Sequence, residues 1–464
     1  MKYISTRGEA QAIGFLDAVL VGLAPDGGLF VPREWPSFSP AEIAGFANRP
    51  YAEVAASVIG RFAGDAVGAD AMAEMCADAY STFSHASVTP LKQLYPDLWL
   101  LELFHGPTLA FKDVAMQLLA RLYDHVLQRQ RRTITIVCAT SGDTGGAAVG
   151  AFKGSQNVRL VVLFPHGRIS EVQRRFMTTA SEANVRTVAV DGTFDDCQTI
   201  LKNLFQDSVF SRAVDLSGVN SINWARIAAQ CVYYFTSAAA LGAPQRSMRY
   251  CVPTGNFGDA YAAYVAKRLG LPIDEIIVAT NSNDIMARAL NDGRYARGSV
   301  SANMSPAMDI QIASNFERLY FEAVERESTE TSRAFKAFAE AGRLDIPPAA
   351  QNAMKGLFSA HAVSEDETAR TILATLNDTG EVIDPHTAVA VAAARRSGKA
   401  GGVPLIALST AHPAKFPEAV RAMARIEPPV PAVVQAQAKL PERIDRLPAD
   451  AEAVKAYVRQ FAGV

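Results

Sequence analysis

Cysteine is scarce in this 464-residue sequence and follows no binding pattern. The five cysteines are odd in number, scattered and never spaced as Cys-x-x-Cys: Cys76, Cys138, Cys197, Cys231 and Cys251. These features exclude a disulfide framework and a cysteine zinc site, and they favour a reducing compartment. Most lie in apolar surroundings, so we expect small core residues rather than reactive thiols.

An excess of charge of one sign and long apolar runs are also lacking. The formal net charge is −2 at pH 7, so no global basic field predicts binding to nucleic acid or to an anionic membrane. No apolar run reaches the length of a membrane-spanning helix, and residues 1–10 lack the apolar core of a signal peptide. We therefore expect a cytoplasmic protein that acts on a small molecule.

Several catalytic signatures are missing as well. The sequence has no Walker loop, no Gly-x-Gly-x-x-Gly dinucleotide fingerprint and no Gly-x-Ser-x-Gly nucleophile elbow. Its histidines, cysteines and carboxylates do not cluster at metal-ligand spacing. His105, His386 and His412 each lie beside a turn, where a hydrogen-bonding role is favoured over that of a general base.

What is present is an alternation of apolar strands and helices from about residue 98 onward. Continuous apolar strands separated by helices predict an α/β fold with parallel sheets covered on both faces. We predict three parts: an amino-terminal block (1–95), a small α/β domain (96–245) and a large α/β domain (246–464). The large domain is interrupted by a helical insertion over about 285–380.

Residues 105–113 join a predicted strand (98–103) to a predicted helix (114–130). Gly106 and Pro107 break the chain between them, which places Lys112 at or near the first turn of the helix. The helix dipole disfavours a cation there, and a partly buried lysine shifts its pKa readily. Lys112 is thus a candidate nucleophilic amine, although position alone also fits an ordinary surface lysine.

Three further loops follow predicted strands. The glycine-rich loop 255–259 presents backbone N–H groups at a helix start, which suits a phosphate. The hydroxyl and amide groups of loop 141–145 suit a carboxylate, and Thr410 presents a hydroxyl just past a strand end. Each loop taken singly also fits a tight turn or a helix cap.

The segment His-Gly-Pro-Thr-Leu-Ala-Phe-Lys-Asp at 105–113 closely resembles the cofactor-lysine segment of threonine synthases, which are fold type II pyridoxal phosphate enzymes. The segments 5–8 and 24–32 resemble the amino-terminal block of the same family, which relatives that deaminate serine or threonine do not usually carry. The resemblance implies two parallel-sheet α/β domains and a Schiff base between pyridoxal 5'-phosphate and Lys112.

The resemblance also implies roles for the other loops. It implies that the cofactor phosphate is bound by Gly255, Asn256, Phe257, Gly258 and Asp259, and we expect the Asp259 carboxylate to turn away from that phosphate. It implies that the substrate α-carboxylate is bound by Ser141, Gly142, Asp143, Thr144 and Gly145. Thr410 would hydrogen-bond the pyridine nitrogen, and Asp143 stands where the deaminating relatives have Asn.

The implied reaction converts O-phosphohomoserine and water to L-threonine and phosphate by γ-elimination and β-addition of water. A serine/threonine dehydratase or a phospho-amino-acid lyase is the nearest alternative, followed by a non-catalytic small-molecule binder and a nucleotide-binding protein. Arg7, Arg226 and Lys415 are unranked candidates for the substrate phosphate. We expect a monomer or a homodimer.

Overall fold

The protein is described by a computed structural model that covers residues 1–398 and 401–464. Its strands are β1 (Lys2–Ser5), β2 (Ile13–Gly14), β3 (Phe30–Pro32), β4 (Leu91–Tyr95), β5 (Leu98–Glu102), β6 (Ile134–Ala139), β7 (Val158–Pro165), β8 (Val185–Asp191), β9 (Leu216–Ser217), β10 (Met248–Pro253), β11 (Ile273–Thr280), β12 (Arg294–Ala296), β13 (Arg343–Asp345), β14 (Phe358–Ala362), β15 (Leu405–Ser409) and β16 (Asp445–Pro448).

The helices surround these strands. They are α1 (Phe15–Val21), α2 (Pro40–Ala44), α3 (Tyr51–Ala63), α4 (Ala69–Ser81), α5 (Lys112–Gln130), α6 (Asp143–Phe152), α7 (Glu171–Thr178), α8 (Phe194–Gln206), α9 (Ser208–Ala213), α10 (Trp224–Ala240), α11 (Gly258–Arg268), α12 (Ile285–Asp292), α13 (Phe316–Ala323), α14 (Ser328–Ala341), α15 (Pro348–Lys355), α16 (Glu365–Thr379), α17 (Pro385–Arg396), α18 (Pro417–Ala424), α19 (Ala432–Gln437) and α20 (Ala451–Ala462). Across the described ranges, no helix is both long and apolar enough to span a membrane.

Two parallel sheets form the centre of the molecule. The larger has six strands in the order β14-β11-β10-β15-β5-β4, and only β4 runs antiparallel to its neighbour. The smaller has five parallel strands in the order β16-β8-β7-β6-β9. The predicted α/β architecture with parallel sheets is confirmed, because strands buried on both faces read as continuous apolar runs.

Strand pairing crosses the predicted domain ranges at two points. β5 lies in the range predicted for the small domain, yet it pairs with β15 of the six-stranded sheet. β16 lies in the range predicted for the large domain, yet it pairs with β8 of the five-stranded sheet. The division at 96–245 and 246–464 stays a prediction, since local periodicity carries no information about such distant partners.

The amino-terminal block and the predicted insertion both add structure around the sheets. The block contains the antiparallel sheet β2-β1-β3 and helices α1 to α4. The insertion over about 285–380 is mostly helical, but it also contributes β14 to the edge of the larger sheet and the antiparallel pair β12 and β13. Both regions pack against the central helices rather than standing apart.

Helix α10 is the central element of the largest apolar core. Nearly all of its residues are buried, and most of them are apolar, which fits a helix enclosed by other elements. It packs against α3, α5 and α11, and Trp224 at its start contacts the rings of Tyr3, Trp35 and Phe62. This packing fixes α10 beside the starts of α5 and α11, which carry two of the predicted loops.

Candidate active site

The four predicted segments come together at the ends of parallel strands. The backbone N–H of Phe111 donates to the carbonyl oxygen of Thr410 at 2.8 Å, which joins the lysine segment to the end of β15. The Lys112 amine lies 3.5 Å from Oδ2 of Asp143 at the start of α6. The charge of Lys112 also acts on Asp259 at the start of α11. Sites in open parallel sheets form at such strand ends.

Lys112 is the first residue of α5, and its side chain is buried. Its Nζ lies 4.7 Å from the centre of the Phe111 ring and faces the Asp143 carboxylate. Burial lowers the pKa of the Lys112 amine, Asp143 raises it, and the positive charges of Lys415 and Arg226 lower it again. The net pKa lies below its ordinary value, so the amine is biased toward its neutral, nucleophilic form.

Asp143 lies between two lysines. Lys415 Nζ is 2.7 Å from Oδ1 of Asp143 and also donates to the carbonyl oxygen of Thr108 at 2.8 Å. Gln173 donates to the same Oδ1 at 3.0 Å. Burial alone raises the pKa of Asp143, but Lys415 and Lys112 hold it well below its usual range. Sequence reasoning named Lys415 only for the substrate phosphate, because its pairing with Asp143 has no local signal.

The predicted carboxylate loop is partly satisfied within the chain. Gly142 has a φ of +136°, a conformation open to glycine, and a Cβ there would lie 2.6 Å from the Gln173 side chain. The N–H groups of Gly142 and Gly145 both donate to Oγ1 of Thr140 at 2.9 Å. Those two N–H groups are thus hydrogen-bonded within the loop itself, and the assignment of loop 141–145 to a substrate carboxylate stays a prediction.

The predicted phosphate loop is a tight connection between β10 and α11. Phe257 precedes the helix with a φ of +61°, and its ring is 1% exposed against Phe316 and Phe358. Since Phe257 is anchored in the core, the first turn of α11 starts at a fixed place. The backbone N–H groups of a first turn have no acceptor within their own helix, so they point at any anion bound there.

The neighbouring segment holds this loop from the other side. The backbone N–H and the side-chain amide of Asn315 both donate to the carbonyl oxygen of Asn256 at 3.1 Å. A Cβ on Gly255 would lie 2.6 Å from the carbonyl oxygen of Ala307, so this backbone approach requires glycine. Ala307 and Asn315 both lie in the predicted insertion, which therefore shapes the loop.

The Asp259 carboxylate faces α10. Tyr234 donates its hydroxyl to Oδ1 of Asp259 at 2.8 Å, and Tyr233 donates to the same oxygen. Burial raises the pKa of Asp259 to about 6, although the two tyrosines and the charge of Lys112 act to lower it. The Asp259 carboxylate is thus hydrogen-bonded to two tyrosines of α10. The backbone N–H of Asp259 remains in the first turn of α11.

A buried chain of hydrogen bonds runs from Ser409, the residue before Thr410, toward the phosphate loop. Ser409 shares a 2.9 Å hydrogen bond with Thr387, whose hydroxyl also donates to Asp384. Asp384 accepts from Nδ1 of His386 at 2.6 Å, and Nε2 of His386 accepts from the Ala307 N–H at 3.2 Å. Sequence reasoning gave His386 only a general hydrogen-bonding role; the signal available was Asp-Pro-His-Thr at a helix start.

The other turn histidines also serve as hydrogen-bonding groups. His105 contacts Glu102 at 2.7 Å, and Nδ1 of His412 accepts from the Ala414 N–H at 3.1 Å. Burial lowers the pKa of His412 to about 4, with a further contribution from His105. Within residues 1–398 and 401–464, no cluster of histidine, cysteine and carboxylate side chains has the arrangement of a metal site.

Of the three candidate phosphate-binding cations, Arg226 differs from the other two. Arg7 makes two hydrogen bonds with Glu317, at 3.1 and 2.9 Å, and Lys415 is paired with Asp143. Arg226 is 3% exposed, donates to the carbonyl oxygen of Val219 at 3.2 Å, and forms no ion pair with a carboxylate in the described part of the chain. Its Nε is buried without a partner among these residues.

These groups fit pyridoxal phosphate. A low-pKa amine suits the cofactor aldehyde, the first turn of α11 suits its phosphate dianion, and the Thr410 hydroxyl suits its ring nitrogen. Buried polar atoms without partners in the described residues, Nε of Arg226, Oε1 of Gln230 and Oδ2 of Asp259, also belong to the elements around Lys112. Such atoms are expected where a polar ligand binds.

Three protein-family models match successive parts of the chain. Residues 2–80 match the model "Threonine synthase N terminus", residues 83–362 match "Pyridoxal-phosphate dependent enzyme", and residues 387–458 match "Threonine synthase, C-terminal". The matched ranges contain Lys112, the loops 141–145 and 255–259, and Thr410.

Relatives cover the full chain. The chain is 45% identical to the threonine synthase of Pseudomonas aeruginosa over 461 residues, which is 99% of this chain and 98% of that protein. Its fold is similar to that of PLP-bound threonine synthase from Brucella melitensis, with a TM-score of 0.97, 48% identity and complete coverage of both chains. Threonine synthase from yeast has a TM-score of 0.93 and 36% identity, covering 100% of this chain and 99% of that one.

Proposed function

The chain belongs to the pyridoxal-phosphate-dependent threonine synthase family, and we propose that it converts O-phosphohomoserine and water to L-threonine and phosphate at Lys112. The observation that carries this assignment to a residue is the buried amine of Lys112, whose pKa is lowered and which faces Asp143. Its substrate is a small molecule.

Bound pyridoxal phosphate supplies an electron-withdrawing ring that stabilises negative charge developing on the substrate carbons. The Nζ of Lys112 would hold the cofactor. When it is free of the cofactor, the same Nζ would take the proton from the substrate Cα. A lysine with an ordinary pKa would be charged at neutral pH and could not accept that proton, so burial and the nearby cations prepare Lys112 for this step.

The remaining residues bind and orient. The first turn of α11, with loop 255–259, would hold the cofactor phosphate, and the Thr410 hydroxyl would hydrogen-bond the ring nitrogen. A neutral hydroxyl does not enforce protonation of that nitrogen. The hydroxyls of Ser141 and Thr144 and the backbone N–H groups of loop 141–145, that of Asp143 included, would bind the substrate carboxylate. The negative charge of the Asp143 side chain is offset by Lys415. Arg226, buried and without a carboxylate partner in the described chain, takes the substrate phosphate.

Two observations favour this reaction over that of a serine/threonine dehydratase. Asp143, at the position where the family resemblance implies Asn in deaminating relatives, is fixed by Lys415 and Gln173. The amino-terminal range 2–80 also matches the model "Threonine synthase N terminus". Product analysis separates the reactions, because threonine and phosphate are expected here rather than a ketoacid and ammonia.

The covalent role of Lys112 is tested by reduction of the holoenzyme with borohydride followed by peptide mapping. We expect the pyridoxyl group on Lys112 in the native chain. Lys112→Ala should bind the cofactor without a covalent link and lose turnover by about 10²- to 10⁴-fold, since it removes the general base. Lys202→Ala, which changes an exposed lysine of α8, is the matched control. Near-native threonine production by Lys112→Ala would refute the assignment.

We further propose a cytoplasmic enzyme that is a monomer or a homodimer. All five cysteines are free and buried, which supports a reducing compartment. Light scattering of the purified holoenzyme measures the oligomeric state, and fractionation of the native cells measures the location. A higher oligomer or a membrane-associated fraction would contradict these proposals.

A further inference from the structure

Two lysines share one carboxylate at the site, and they share it unequally. Lys415 Nζ lies 2.7 Å from Oδ1 of Asp143, whereas Lys112 Nζ lies 3.5 Å from Oδ2. Both lysines and Asp143 are buried, and Lys415 is only 1% exposed. Because charge attraction weakens with distance, the Asp143 carboxylate interacts most strongly with Lys415.

Lys415 is held in place from several sides. Besides its contact with Asp143, the Nζ of Lys415 donates to the carbonyl oxygen of Thr108 at 2.8 Å. The backbone carbonyl oxygen of Lys415 accepts from the Ser170 hydroxyl at 3.1 Å. Thr108 is itself fixed, because its N–H and hydroxyl both donate to Asp113 at 2.7 Å. The ammonium of Lys415 therefore cannot leave Asp143 without breaking other hydrogen bonds.

The charges that face Lys112 come from four elements. α6 supplies Asp143, the turn 413–415 supplies Lys415, α10 supplies Arg226, and α11 supplies Asp259. The Asp259 carboxylate is occupied by two tyrosine hydroxyls. Removal of Lys415 would leave Asp143 facing Lys112 alone, and a carboxylate at that distance stabilises the charged amine.

We propose that Lys415 is a positioning residue: its ammonium takes up the negative charge of Asp143, so that the adjacent Lys112 amine stays in the neutral form that the reaction needs. The proposal rests on Lys112 being the reactive amine of the proposed function. It assigns Lys415 to Asp143 and not to the substrate phosphate, which was its candidate role in the sequence.

The test measures Lys112 itself in the full-length chain without cofactor. Competitive labelling with acetic anhydride between pH 6 and pH 11, read by peptide mass spectrometry, reports the neutral fraction of each lysine. Lys415→Met and Lys415→Gln remove the positive charge, and the amide of Gln can still donate to Thr108 or Asp143. Lys455→Met is the matched control, because Lys455 is also a little-exposed lysine paired with two carboxylates, Asp207 and Glu452, far from the site.

We expect the labelling midpoint of Lys112 to rise in both Lys415 variants, with about a tenfold fall in its labelling rate at pH 7. Lys455→Met should leave the Lys112 profile unchanged. Lys415→Arg keeps the charge and should restore the native profile, so it also tests the idea if the neutral variants do not fold. No substrate or phosphate is present, so a role confined to the substrate phosphate predicts no change.

A Lys112 profile that superimposes on the native one in a folded Lys415→Gln protein would overturn the proposal. So would an equal loss of labelling in Lys415→Arg, since the charge would then be irrelevant. The readout is the chemistry of one amine in the chain alone. Failure of this inference is therefore distinguishable from failure of the proposed reaction, which is decided by product analysis.

Discussion

At the residue scale, Asp259 is placed where its charge is unfavourable. Its pKa of about 6 stands above the ordinary value of 3.8, because burial disfavours the carboxylate. The folded chain therefore holds a proton at this position between about pH 4 and pH 6, where the unfolded chain does not. The stability that this proton contributes is complete below pH 4 and is lost as the pH rises through 6.

The raised pKa of Asp259 leads to a prediction for the stability of Asp259→Asn. The amide oxygen of Asn can still accept from Tyr233 and Tyr234, but the side chain carries no charge. At pH 7 the variant should be more stable than the native chain by up to about 3 kcal/mol, since two pKa units correspond to that free energy. The gain should disappear below pH 4. Urea unfolding of both cofactor-free proteins from pH 4 to pH 7.5 measures this difference, and a difference that stays constant with pH would contradict it.

Arg226 provides a second residue-scale prediction. Arg226→Gln should raise KM for O-phosphohomoserine by about 10- to 100-fold, because a charge-assisted hydrogen bond to the substrate phosphate is lost. Inhibition by inorganic phosphate should weaken to a similar degree. Arg333→Gln, which changes an exposed arginine of α14, is the control. Unchanged inhibition by phosphate in a folded Arg226→Gln enzyme would rule out this role.

At the element scale, the loop between β10 and α11 depends on a close backbone approach. Gly255→Ala would bring a Cβ to 2.6 Å from the carbonyl oxygen of Ala307, so the loop must move. We expect a loss of about 1–3 kcal/mol in stability and at least a tenfold weaker affinity for pyridoxal phosphate, measured by fluorescence titration. Gly68→Ala at the start of α4 meets no atom within 4 Å and serves as the control. Native affinity in Gly255→Ala would show that the loop adapts.

The elements themselves were largely predictable from the sequence. The strand predicted over 98–103 is β5, and the helix predicted over 114–130 is α5, which begins two residues earlier at Lys112. Apolar periodicity and glycine breaks are local signals, so they locate such segments well. The order of strands within a sheet is not local, and β14 inside the mostly helical insertion had no distinguishing pattern.

The site was predictable to the extent that motifs surround it. Lys112 and Asp143 were named from their loops, and the structure brings them within 3.5 Å of each other. Lys415 was named for another role, because nothing near it in sequence indicates that Asp143 is its partner. The tyrosines of α10 that bind Asp259 were missed for the same reason: they occupy an apolar helix and read as core residues.

At the scale of the whole molecule, Arg318 joins three distant segments. Its guanidinium is fully buried and donates to the carbonyl oxygens of Phe30 and Ile222, at 2.9 and 2.7 Å, and to the side chain of Asn315. Burial lowers its pKa to about 10. The amino-terminal block, the start of α10 and the insertion are thus held by one side chain.

We predict that Arg318→Met destabilises the chain by about 2–5 kcal/mol, because two buried carbonyl groups lose their donor. The midpoint of urea unfolding measures the effect. Arg333→Met, at an arginine whose side chain is 71% exposed, should change stability by no more than about 0.5 kcal/mol. An Arg318→Met protein as stable as this control would mean that the three segments are held by apolar packing alone.

The position of β15 between β10 and β5 has a consequence for folding during synthesis on the ribosome. β5 and β10 emerge long before β15, so their facing apolar edges stay open while most of the chain is still being made. Lys112 emerges early, but Thr410 and Lys415 arrive with or after the missing strand. A product of premature termination would therefore carry the reactive lysine without a working site, and it would expose strand edges that invite aggregation.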